Sequence, residues 1–300
     1  MNPEANRAFF TVTFLFLLLF LFFAINSNDQ ISIVYKDVTL AALLGLVFLK
    51  LFFPERVDFI GEPGKAILSA GLGLLLGLIF TYKFFAGQPF AIANFSLTLS
   101  VPVSLAVAQG STVLVYLLSV GAAFAEEIFF RGFLFNLMQR VAKSRLLFIG
   151  TSGLIALTIL SFGLSDYILI GGFFGLLAVY VWLTRKTLLN TLNMQLIFAA
   201  ATTSVAFGLF HLNAYKGDIT LVVSAIIFSL IAIFIYKATG SVIGSIIAHT
   251  MNNGIIIGTS LGLGATFGLL LAFGVAAILI MISTNKLSLH GLNLKLPSIG

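Results

Sequence analysis

The 300-residue sequence has no cysteine, three histidines and only 9% charged residues. Without cysteine there are no disulfides and no thiolate ligands, so any metal must use His, carboxylate or Asn. The scarcity of charge excludes an ordinary soluble domain, in which roughly 25% of residues are charged. What is there instead is apolar: 60% of residues are hydrophobic and 32 are Phe, which suits lipid-facing and helix-packing surfaces. The formal net charge of +6 does not point to nucleic acid. The basic residues are scattered between apolar runs, where membrane topology accounts for them. No internal repeat, low-complexity segment or soluble domain is discernible.

A membrane-spanning helix needs ~20 mostly apolar residues. Such runs are predicted at about 9–25, 38–53, 66–86, 112–139, 146–163, 166–184, 194–213, 219–236, 241–259 and 265–283. Residues 87–110, with Pro89, Asn94 and Pro102, read as a loop carrying a short interfacial helix. The fold class is therefore all-α, a polytopic bundle of about 8–10 transmembrane helices. The first run lacks an A-x-A cleavage pattern at Ala24-Ile25-Asn26, so it reads as an uncleaved anchor. Lys and Arg alternate unevenly between loops. Eleven fall on one side and three (Lys36, Lys83 and Lys216) on the other, which predicts that the N- and C-termini are cytoplasmic. An integral, multi-pass protein of the cell membrane is expected.

Against this background Ala125-Glu126-Glu127-Ile128-Phe129-Phe130-Arg131-Gly132 is anomalous. Each charge near a bilayer centre costs at least ~2.5–3.5 kcal/mol, so such residues are paired and functional by default. Glu127 and Arg131 stand four apart with the acid N-terminal, the better order for a helical ion pair. Glu126 then points about 100° away, towards other partners. Two further polar groups sit in apolar runs: His211, ending Phe207-Gly208-Leu209-Phe210-His211, and His249, which shares a helix face with Asn253. Taken singly, each has a plain packing explanation. Together they suit amide hydrolysis, with a carboxylate and an imidazole deprotonating water and a second imidazole and an amide stabilising an oxyanion. Glu126, His211 and His249 could equally hold a divalent metal such as zinc. No H-E-x-x-H occurs, and the sequence leaves open whether a metal or the Glu/His pair alone activates the water.

Three ordered motifs, Glu126-Glu127-x-x-x-Arg131 with Phe130-Arg131-Gly132-Phe133-Leu134, Phe207-x-x-x-His211, and His249-x-x-x-Asn253, resemble those of the CAAX-protease and bacteriocin-processing (CPBP, or Abi) family of intramembrane proteases. The resemblance covers about residues 112–256. It implies that Glu126 and His211 activate water, that His249 and Asn253 stabilise the oxyanion, and that Glu127 and Arg131 support them. It also implies a peptide or protein substrate, lipidated or membrane-embedded, since the family includes type II CAAX prenyl endopeptidases and members linked to bacteriocin immunity. Two features depart from the family pattern. Two extra apolar segments, about 146–184, separate the first two motifs. The charge count also puts the site in the outer half of the membrane, because Glu126 precedes the inner cluster Arg140–Arg145 by 14 residues, or ~20 Å of helix.

The expected organisation is an N-terminal transmembrane region (1–110), a catalytic core (111–258) containing the two-helix insertion, and a C-terminal helix with a polar tail (259–300). Gly171-Gly172-x-x-Gly175 and Gly240-x-x-x-Gly244 read as packing surfaces, the stretch Gly258 to Gly268 as either a packing surface or a hinge, and Asp166 as a helix cap. Asn252 ranks behind Asn253, and His290 in the tail is expected to have no role. Rival functions are a proton- or ion-coupled transporter using the same Glu and His, and a non-catalytic immunity protein.

Overall fold

A computed structural model describes residues 59–85, 112–142, 148–150, 192–211, 215, 218–260 and 264–284, with helical stretches within 13–18 and 39–47. Among the described residues the architecture is an all-α bundle. Its helices are α1 (Pro63–Phe85), α2 (Thr112–Glu127), a π-helical segment (Ile128–Phe135) continuing into α3 (Asn136–Val141), α4 (Leu192–Phe210), α5 (Ile219–Thr239), α6 (Ile243–Ser260) and α7 (Gly264–Ser283). The runs expected from about 66, 112, 194, 219, 241 and 265 onwards each correspond to one of these. The segment 146–184 and Asp166 lie outside the described residues apart from 148–150, as do Gly171–Gly175 and His290.

Local chemistry sets the helix ends. Pro63 opens α1 where its missing N–H is no loss. Asp218 caps α5, its carboxylate accepting from the N–H groups of Thr220 at 2.9 Å and Leu221 at 3.4 Å. Gly240 closes α5 in the left-handed conformation, φ 68°, donating its N–H to Tyr236 O. That corrects the sequence reading of Gly240 as a packing residue: it is a cap. Gly244, by contrast, does pack. It meets Ser69 and Gly73 of α1 so closely that a Cβ on Gly73 would overlap the Gly244 backbone. Ser69 Oγ uses that closeness, accepting from Gly244 N–H at 2.9 Å and donating to Ser241 O at 3.1 Å. Gly268 of α7 sits equally tightly on Gly254 and Ile255 of α6, so the stretch expected to be either hinge or packing surface packs at this position.

Helix α6 is thereby the axis of the described bundle, packed against α1, α2 and α7, while α5 lies against α4 and α1. Its residues Ile243 to Thr250 are buried without interruption. The outward faces of the bundle carry large apolar side chains, including Leu75, Ile79, Phe234, Leu270 and Phe273. Greasy exteriors of this kind mark a membrane-associated surface rather than a wetted one. By length and composition, two helices among the described residues, Pro63–Thr81 and Ile219–Thr239, can cross a membrane.

Candidate active site

The acidic motif occupies a break in helical geometry. Glu126 and Glu127 are the last two residues of α2, and the wider π turns begin at Ile128. π segments are rare and concentrate at functional sites. Gly132 lets this segment approach the Phe59 ring, whose Cε1 would lie 2.5 Å from an added Cβ.

Glu127 and Arg131 form the expected ion pair, Nη1 to Oε1 at 2.9 Å, with both side chains fully buried. Desolvating two charges this completely is favourable only with further support. Part of it is aromatic: the guanidinium carbon stands 4.2 Å from the Phe207 ring centroid and 5.7 Å from that of Phe228. Part of it comes from His249, whose Nδ1–H donates to the same Glu127 oxygen at 2.8 Å. The sequence reading pairs Glu127 with Arg131 alone and does not contain this second bond.

Glu126 faces both histidines, as expected. Its Oε2 lies 3.2 Å from His211 Nε2 and 3.7 Å from His249 Nε2. His211 is the first residue beyond α4, and its Nδ1 lies 2.8 Å from Phe207 O. A carbonyl oxygen only accepts, so Nδ1 carries the proton. The same reasoning applies at His249, where the acceptor is the Glu127 carboxylate. Nε2 of each imidazole is therefore the ring atom that faces Glu126 Oε2. Two imidazole nitrogens and one carboxylate oxygen thus converge on one point. Such a cluster calls for a proton, a water or a cation.

Aromatic rings wall the cluster. Phe207 lies 4.4 Å from the His211 ring and 5.9 Å from that of His249, Phe228 lies 5.7 Å from His249, and Tyr215 lies 5.4 Å from His211, all between centroids. Phe207 was legible as the i−4 neighbour of His211. Phe228 and Tyr215 carried no sequence signal among so many aromatics. Asn253 is half-buried, one turn beyond His249 on α6.

The donor set suits a divalent metal. The ligand atoms of Glu126, His211 and His249 all lie within 4.8 Å of one another. Both histidines have their second ring nitrogen held by a carbonyl or carboxylate, as metal-ligating histidines do. The two carboxylates, Glu126 and Glu127, stand against a single guanidinium, Arg131, a balance that a cation would offset.

A buried Glu/His/His cluster in an all-α bundle defines a site of the glutamate or metal peptidase type. Residues 108–193 and 182–255 match the family model described as Type II CAAX prenyl endopeptidase Rce1-like. The chain thus carries, over residues 108–255, an Rce1-like CAAX-protease domain of the CPBP (Abi) family, and this domain with its buried cluster supports activity of the glutamate or metal peptidase type. Neither the curated proteins nor the solved structures yield a match.

Proposed function

We propose that the protein is an intramembrane endopeptidase that hydrolyses a peptide bond in a lipidated or membrane-embedded peptide. The observation that carries this reading is the convergence of two imidazole Nε2 atoms on one buried carboxylate, with both Nδ1–H groups already bonded elsewhere. In this reading Glu126 and His211 take the proton of an attacking water, and the proton is returned to the leaving amine nitrogen. His249 and Asn253 stabilise the oxyanion of the tetrahedral intermediate. Because Nδ1–H of His249 is bound by Glu127, His249 meets that oxyanion only through Nε2, as a donor when the ring enters the reaction as imidazolium. Arg131 and Glu127 hold this arrangement and do not touch the substrate. If a divalent metal is bound, Glu126, His211 and His249 hold it, and it supplies Lewis-acid polarisation of water and carbonyl.

The chain is further proposed to be a multi-pass cell-membrane protein of 8–10 spans with both termini cytoplasmic. Its regions are then 1–110, the core 111–258 with an insertion at about 146–184, and 259–300. The greasy outer faces and the uneven loop charge support this. The site then lies in the outer half of the bilayer. Incubating purified protein with a prenylated peptide and its unmodified counterpart tests the function. Cleavage by the wild type that is absent in Glu126→Gln is expected, and equal cleavage by both would refute the assignment.

A further inference from the structure

Asn136 takes no part in the chemistry described, yet its side chain is heavily engaged. Its amide nitrogen donates to Gly132 O at 2.8 Å, to Arg131 O at 3.3 Å and to Tyr236 Oη at 2.9 Å. The two carbonyls belong to the π segment, whose ladder bonds residues five apart. A continuing ladder would give Asn136 N–H to Arg131 O, but that N–H goes to Phe133 O instead. The side chain supplies the donor that the ladder withdraws.

Tyr236 fastens the other end. Its ring meets Phe135 edge-on at 6.1 Å, and its carbonyl accepts the N–H of Gly240 at 2.7 Å, in the turn that launches α6 and His249. Phe59 lies over Gly132, and its carbonyl accepts the N–H of Val242 at 2.9 Å. The π segment, α5 and the start of α6 therefore meet at one junction.

We propose that Asn136 and Tyr236 are positioning residues: their amide-to-phenol bond fixes the π segment, and through it the aim of Glu126, Glu127 and Arg131 at the two histidines. A π turn holds an extra residue relative to an α-helix. Its relaxation would rotate the carboxylates against the rest of the segment by about 100°. The lever acts at a distance, since Asn136 is ten residues from Glu126, roughly 15 Å along a helix.

The three histidines of the chain make ¹⁵N-histidine spectra a direct test. The proton on His249 Nδ1, held by Glu127, is the reporter. In Asn136→Leu and Tyr236→Phe this resonance is expected to shift or vanish while helix content stays that of the wild type. In Gln139→Ala, which removes only an exposed contact to Lys237, it is expected to stay. Tyr236→Phe removes a single oxygen and decides the matter if Asn136→Leu does not fold. An unchanged resonance in the folded variants overturns the proposal. A kinetic readout rests on the peptidase reading: kcat should fall roughly ten- to a hundredfold with KM within about twofold, and a change in KM alone would overturn the proposal. If the wild type cleaves nothing, the peptidase reading fails and the histidine resonance alone decides this inference.

Discussion

Glu127 Oε1 accepts from His249 Nδ1 at 2.8 Å and from Arg131 Nη1 at 2.9 Å, so one buried carboxylate oxygen ties α2 to α6. The ion pair seen in the sequence is therefore also the support of a site imidazole. A side chain in that position is costly to neutralise, because its removal strands a buried guanidinium and frees the imidazole together.

Glu127→Gln is accordingly expected to destabilise the detergent-purified protein by about 3–5 kcal/mol, the usual loss when one partner of a buried pair is removed. Thermal unfolding followed by circular dichroism measures it. A variant as stable as the wild type would mean that Arg131 finds its compensation elsewhere.

Helix contacts give a prediction independent of chemistry. A Cβ at Gly73 would strike the Gly244 backbone, which cannot yield without parting α1 from α6. Gly73→Ala is expected to cost roughly 1–3 kcal/mol. A Cβ at Gly64 meets nothing within 4 Å, so Gly64→Ala should fall within about 0.5 kcal/mol of the wild type. The same melting experiment compares them, and equal effects would contradict the close crossing.

The donor set predicts metal binding. Titration of purified protein with Co²⁺ should produce visible absorption bands in the wild type that are lost in His211→Ala and in His249→Ala. Identical spectra for all three proteins would show that the cluster does not hold the ion.

Much of this site was legible in the sequence, because charge and imidazole in apolar runs are expensive and therefore conspicuous. Glu126, Glu127, Arg131, His211 and His249 all stood out for that reason, and the structure brings them together. The i,i+4 rule also found the Glu127–Arg131 pair. The Glu127–His249 bond was not legible, since no local rule links residues 122 positions apart. The π turns at Ile128–Phe135 were equally hidden: periodicity assumes one regular helix, and the device that secures them, Asn136 with Tyr236, is again a long-range contact. Gly240 was misread because its spacing to Gly244 imitates a packing motif, whereas its positive φ makes it a cap.

The proposed topology has its own test, helped by the lack of native cysteine. Single Lys143→Cys and Lys216→Cys variants in intact cells are expected to react differently with an impermeant maleimide. Lys216→Cys should label from outside and Lys143→Cys only after permeabilisation. The reverse pattern would invert the orientation and move the site to the cytoplasmic half.

The most direct test of the central claim is the cleavage of a prenylated peptide by purified wild-type and Glu126→Gln protein, followed by mass spectrometry of the products. Loss of the general base should slow the reaction by roughly 10²–10⁴-fold while the variant still inserts and folds. Product formed at the wild-type rate by Glu126→Gln would contradict the claim that this carboxylate activates the water.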